Sequence, residues 1–75
     1  MYYVYLIKNH AERMTYIGYT KDLRRRFLEH KDKKPELVYY EAYKAEWDAR
    51  SREMKLKQWG QSVRRLKERL KYSLI

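Results

Sequence analysis

Two runs rich in β-branched and aromatic residues, Tyr2-Tyr3-Val4-Tyr5-Leu6-Ile7-Lys8 and Met14-Thr15-Tyr16-Ile17-Gly18-Tyr19, lie close together at the start of the chain. The first shows no polar alternation, which predicts a strand buried on both faces. Residues 9–13 read as a turn, and so short a connection favours an antiparallel hairpin. If Ile7 stands opposite Tyr16, then Tyr5 stands opposite Gly18. That register puts Tyr5, Tyr16 and Gly18 on one face, with the glycine leaving room for a ligand or a neighbouring ring. The alternative is that both tyrosines are core residues with satisfied hydroxyls.

A helix should follow, capped by Thr20 or Asp22 and running to about residue 30 or 31. Leu23, Arg26, Phe27 and His30 fall at i, i+3, i+4 and i+7, so Arg26 and His30 share the inward stripe while Arg24 and Arg25 lie off it. An arginine on such a stripe needs an anionic partner, either a ligand or an ion pair with Glu41 or Glu53. A charged loop over 31–35 leads to a third strand over 37–43. From about Glu46 or Asp48 the period becomes helical, and Ala49, Glu53, Leu56 and Gly60 share one stripe. Glu53 therefore faces inward, where a carboxylate is costly unless a cation or a metal meets it. The competing assignment pairs it with Lys57 at i+4 on the surface. Gly60 should end or bend this helix, and Val63, Leu66 and Leu70 mark the apolar stripe of a last helical segment beneath Arg64, Arg65, Lys67, Arg69 and Lys71. The order β-β-α-β-α-α belongs to the α+β class, in a single domain over 1–75.

A chain of 75 residues buries only about 60% of its unfolded surface, which leaves little room for a second site. The absence of cysteine excludes a disulfide framework and a thiolate metal site and fits a reducing compartment, so a cytoplasmic location is expected. Lys8, Asn9 and His10 interrupt the first apolar run as no signal peptide would, and no stretch reaches membrane-spanning length. Nineteen Lys and Arg against ten Asp and Glu give a net charge of +9, which calls for a polyanionic partner. Nine tyrosines beside that charge suit stacking on bases and hydrogen bonding to phosphates, so nucleic acid is the first candidate and a membrane surface a weaker one. The chain has no Walker-type glycine loop, metal-spaced histidine pair, serine-nucleophile motif or internal repeat.

In their order and spacing these residues resemble the GIY-YIG nuclease domain family, particularly its small stand-alone bacterial members. Tyr3-Val4-Tyr5 stands at the first signature, without its glycine and isoleucine, and Tyr16-Ile17-Gly18 at the second. Arg26 falls on the catalytic arginine, His30 on a helix histidine or tyrosine, and Glu53 on the metal-binding glutamate. The resemblance implies a small three-stranded antiparallel sheet flanked by helices, and a divalent-metal-dependent endonuclease that hydrolyses DNA phosphodiester bonds. Glu53 would hold one Mg²⁺ or Mn²⁺, Arg26 would stabilise the transition state, and Tyr5 or Tyr16 would activate the water with His30 assisting. DNA is the expected substrate, with branched or damaged DNA among the candidate forms, RNA second, no membrane partner, and specificity supplied by the chain or by a protein partner. Arg24, Arg25, Arg64, Arg65 and Lys67 are the candidate backbone contacts. The alternative functions on the same scaffold are a DNA- or RNA-binding module that does not cut, and a structural domain that binds a protein.

Overall fold

The computed structural model describes residues 1–29 and 35–74. Its elements run β1 (Tyr2–Asn9), β2 (Met14–Thr20), α1 (Leu23–Glu29), β3 (Pro35–Tyr43), α2 (Glu46–Gln58) and α3 (Gly60–Arg69). The strands form one antiparallel sheet of order β2-β1-β3, so the α+β architecture and the order of elements are as expected. The most apolar strand takes the centre. Val4, Tyr5, Leu6 and Ile7 are all buried, the two-sided burial that their lack of polar alternation predicts.

The hairpin turn is closed by Asn9, whose buried side-chain oxygen accepts hydrogen bonds from the backbone N–H groups of Ala11 and Glu12. An Asx turn of this kind sets the chain direction at little cost and fixes the register of the strands that follow. Ile7 pairs with Tyr16 and Tyr5 with Gly18, as expected.

The pleat divides the sheet into two faces. Val4 and Leu6 point to the face covered by α2 and α3, where Ala49, Leu56 and Leu66 complete the buried core and Ile17, Tyr39 and Leu70 pack at its margin. Tyr3, Tyr5 and Ile7 point to the other face, together with their cross-strand partners Gly18, Tyr16 and Tyr40. An irregularity in the β1–β3 register between Leu6 and Ile7 lets Leu37 rather than Val38 oppose Ile7.

Two boundaries differ from the expected ones, and a third is not described. Strand β3 begins at Pro35 rather than residue 37, because a proline is tolerated as the first residue of an edge strand, and here it pairs with Asn9. Helix α1 is described over Leu23–Glu29, and its expected end at residue 30 or 31 lies outside the described residues. The break between α2 and α3 falls at Trp59, one residue before Gly60. Trp59 is extended (φ −112°, ψ 100°) and its N–H closes the last turn of α2 on the Lys55 carbonyl.

Candidate active site

The site begins at the central row of the outer sheet face, where the Tyr5 phenol lies across Gly18. No β-carbon stands at Gly18, and the Tyr5 ring uses that space. The buried phenol therefore has one place for its hydroxyl, beside α1. Asp22 caps that helix, its carboxylate accepting from the Arg25 N–H, while the Thr20 hydroxyl accepts from the Asp22 N–H. With α1 anchored at this end, Arg26 reaches back over the sheet, and its Nε donates to Tyr5 Oη at 3.0 Å. Its Nη1 donates to Glu29 at 2.9 Å. The bond to Tyr5 and then that to Glu29 push the already high Arg26 pKa further up, so its charge is permanent.

Tyr16 is handled differently. Its hydroxyl donates to the Glu12 carboxylate in the hairpin turn. That hydrogen bond, with some desolvation and the charge of Glu12, pushes the Tyr16 phenol up and holds its proton. The two phenols thus stand in opposite hydrogen-bond roles: Tyr5 accepts from a cation, and Tyr16 donates to an anion.

Tyr5, Tyr16, Gly18 and Arg26 line one cavity of about 200 Å³ with Glu53 and Lys57 of α2. The Lys57 ammonium lies 3.3 Å from the Glu53 carboxylate. Glu53 lines the cavity and at the same time makes the i+4 ion pair with Lys57. Tyr19 also borders the cavity. Its hydroxyl donates to Glu46 at 2.6 Å, and the Arg50 guanidinium lies over its ring, which joins β2 to the first turn of α2.

Among the described residues no three His, Asp or Glu side chains converge as a metal cage. Mg²⁺ seldom uses one, because it keeps several waters and takes one or two carboxylates plus substrate phosphates. One carboxylate in a cavity with phenol oxygens is a hard-oxygen donor set that fits a single, mostly hydrated Mg²⁺ or Mn²⁺.

Four of the five residues expected to be catalytic, Tyr5, Tyr16, Arg26 and Glu53, meet at this cavity. The fifth, His30, lies outside the described residues. Arg24 and Arg25 are exposed on α1, where Arg25 pairs weakly with Glu29 at 3.6 Å. Arg64, Arg65 and Lys67 are exposed on α3, and none of these five lines the cavity. Arg26 does not pair with Glu41 or Glu53, the two partners the sequence offered it.

Glu41 instead belongs to a cluster on the core face. It accepts from Arg52 Nε at 3.0 Å and from the hydroxyls of Tyr39 and Tyr43. Burial alone would raise the Glu41 carboxyl, but these three donors outweigh it and hold the group below its ordinary value. Burial, then the bonded carboxylate, pushes Tyr43 up to about 12. The period-2 spacing of Tyr39, Glu41 and Tyr43 signals one shared face, but nothing local names Arg52 as their partner. Glu12 is linked to Tyr16 only by the folded turn.

The family model for the GIY-YIG catalytic domain matches residues 1–69. No curated protein and no solved structure matches the chain.

Proposed function

The chain belongs to the GIY-YIG catalytic domain family, whose function is of the nuclease type and whose substrate is nucleic acid, and from that membership we propose that it is a divalent-metal-dependent endonuclease hydrolysing DNA phosphodiester bonds. The observation that carries this reading is the 3.0 Å hydrogen bond from Arg26 to Tyr5 at the cavity that Glu53 also lines. A base, a fixed cation and a carboxylate around one space are what an in-line displacement at phosphorus needs.

Tyr5 is the proton acceptor. Its oxygen already receives a hydrogen bond from a permanent cation, and as the phenolate it takes a proton from the attacking water, becoming the neutral phenol as the water oxygen bonds to phosphorus and the bond to the leaving oxygen breaks. Tyr16, its proton held by Glu12, orients the attacking water as a neutral phenol whose oxygen accepts from that water. Arg26 keeps Nε on Tyr5 and turns its remaining donors to the phosphate. Its pair with Glu29 is half exposed and therefore weak, so a phosphate can take the place of that carboxylate. Glu53 would hold the Mg²⁺ or Mn²⁺ ion. Bound there, the ion supplies neutralisation of charge on the phosphoryl and leaving oxygens. Lys57, which pairs with Glu53 at the cavity, would stand there as a second cation for the substrate.

Incubation of nicked, branched and supercoiled DNA with Mg²⁺, Mn²⁺ or chelator tests this directly. Metal-dependent scission by the wild type, lost in Glu53→Gln with DNA binding retained, is the expected result. Cutting by Glu53→Gln at the wild-type rate would remove the metal assignment. Binding without scission under every condition would leave a nucleic-acid-binding module.

A further inference from the structure

The outer face of the sheet carries a second concavity on the opposite flank of α1. Tyr3 of β1 and Tyr40 of β3 meet there edge to face, with ring centroids 6.0 Å apart. With Leu23 and Phe27 of α1 and Leu37 of β3 they line a groove of about 550 Å³, within the range that holds a small organic ligand. Tyr40 is 52% exposed, a large aromatic surface to leave open on a sheet. The rim carries Lys21 and Arg24, with Asp22, whose carboxylate is engaged as the cap of α1.

The groove is joined to the active-site cavity. A shallow depression bordered by Tyr19, Lys21, Asp22, Arg25, Arg26 and Glu29 shares Tyr19 and Arg26 with the cavity and Lys21 and Asp22 with the groove. Tyr40 of β3 also pairs directly with Tyr5 of β1, so the exposed ring and the proposed catalytic phenol stand in one row of the sheet. On that depression three cations, Lys21, Arg25 and Arg26, stand against two carboxylates, Asp22 and Glu29, on a chain of net charge +9.

We propose that this groove receives an unpaired base of the DNA strand being cut, stacked on Tyr40, with Lys21 and Arg24 on the phosphates that flank it. Aromatic rings on adjacent strands of an open sheet are a common platform for unpaired bases, because every base offers a π-face whatever its sequence. A base in a duplex is already stacked and paired and cannot enter a groove floored by two tyrosines. A protein segment would find the apolar floor but has no use for two cations beside it. The substrate class is then DNA with an unpaired nucleotide next to the scissile phosphate, as at a branch, flap or gap. This specification rests on the nuclease reading above.

The test is a single-stranded oligonucleotide carrying 2-aminopurine, titrated with the protein in chelator so that nothing is cut, beside a blunt duplex of the same length. Stacking quenches the probe. Wild type and Tyr40→Phe should quench it and bind the single strand equally. Tyr40→Leu, which keeps apolar bulk but not the ring, should lose the quench and bind about 5- to 150-fold more weakly, the range for one stacked base. Its duplex binding should be unchanged. Arg24→Ala should weaken single-strand binding and lower its salt dependence while leaving some quench. Unaltered quench and affinity in Tyr40→Leu would overturn the proposal, as would an equal loss on single strand and duplex. Self-association of the wild type that Tyr40→Leu abolishes, with single-strand binding intact, would assign the groove to a second copy. Cleavage is scored separately. A wild type that cuts while Tyr40→Leu binds normally rejects the groove alone, and a Tyr40-dependent quench without cutting in Mg²⁺ or Mn²⁺ rejects the nuclease reading alone.

Discussion

The Tyr5 ring fills the space in which a side chain at Gly18 would have to sit. A β-carbon there would lie inside van der Waals contact of Tyr5 Oη and Cζ, and the ring is 4% exposed, with little freedom to move aside. Gly18→Ala should therefore push the phenol off Arg26, costing about 1–3 kcal/mol of stability from overpacking. A displacement near 1 Å at a catalytic group costs on the order of 100-fold in rate. Cleavage should fall by at least that much in protein still folded by circular dichroism. Full activity in Gly18→Ala would mean that the position of the Tyr5 hydroxyl does not matter to the chemistry.

The opposite hydrogen-bond roles of Tyr5 and Tyr16 make their hydroxyls unequal. Tyr5→Phe should slow cleavage by about 10²- to 10⁴-fold, the range for losing a general base. Tyr16→Phe should cost less, since only a neutral orienting hydroxyl is removed. Glu12→Gln takes away the charge that holds the Tyr16 proton and should bring the Tyr16 titration down towards its ordinary range, readable by ultraviolet absorbance. Comparing the two Phe variants in single-turnover cleavage checks the assignment, and a slower Tyr16→Phe would exchange the two roles.

The register that faces Tyr5 with Gly18 and Ile7 with Tyr16 was legible because a hairpin with a short turn and a two-residue period leaves few alternatives. The helical period likewise put Ala49 and Leu56 in the core and carried Glu53 to the site on the same stripe. Ion-pair partners were not legible. Arg26 could meet Glu41 or Glu53 by face and charge, yet it pairs with Glu29 one turn away, while Arg52 takes Glu41. Long charged side chains choose among several partners within reach, and burial and rotamer, not spacing, decide. Nor did the sequence reveal the Tyr3–Tyr40 groove, since only the pairing of β3 beside β1 brings those rings together.

The cluster around Glu41 should shape stability at both ends of the pH range. The folded carboxyl is held below its ordinary value, so its contribution is present above the unfolded value of about 4.3 and is lost as pH falls through the lower folded value. Tyr43 is raised to about 12, so its contribution is present below an unfolded value of about 10 and is lost as pH rises between the two. Glu41→Gln should cost about 1.5–3 kcal/mol near neutrality, the range for hydrogen bonds to a charged group, and should flatten both limbs. Denaturant melts from pH 3 to 12, roughly the span set by those reference values, provide the check. Limbs as steep in Glu41→Gln as in the wild type would place the titrating groups elsewhere.

Arg26 is the residue on which geometry and chemistry converge most tightly, since one guanidinium touches both the proposed base and the Glu29 carboxylate that a phosphate is proposed to replace. Lysine keeps the charge but replaces a planar fork with a point ammonium, which cannot hold Tyr5 through one nitrogen and a phosphate through another. Arg26→Lys should therefore bind uncleaved DNA almost as well as wild type while losing about 10²- to 10³-fold in turnover, the cost of removing one transition-state donor. Arg26→Ala should lose more. Arg25→Ala, whose side chain is exposed and whose ion pair with Glu29 is long, should weaken binding and its salt dependence and leave single-turnover cleavage at saturating DNA unchanged. An interaction made only at the transition state lowers the rate and not the affinity for the ground state, so the two arginines should separate on these two axes. Wild-type turnover in Arg26→Lys together with an inactive Arg25→Ala would move the catalytic role to the neighbouring residue and break the link between Arg26, Tyr5 and the chemistry.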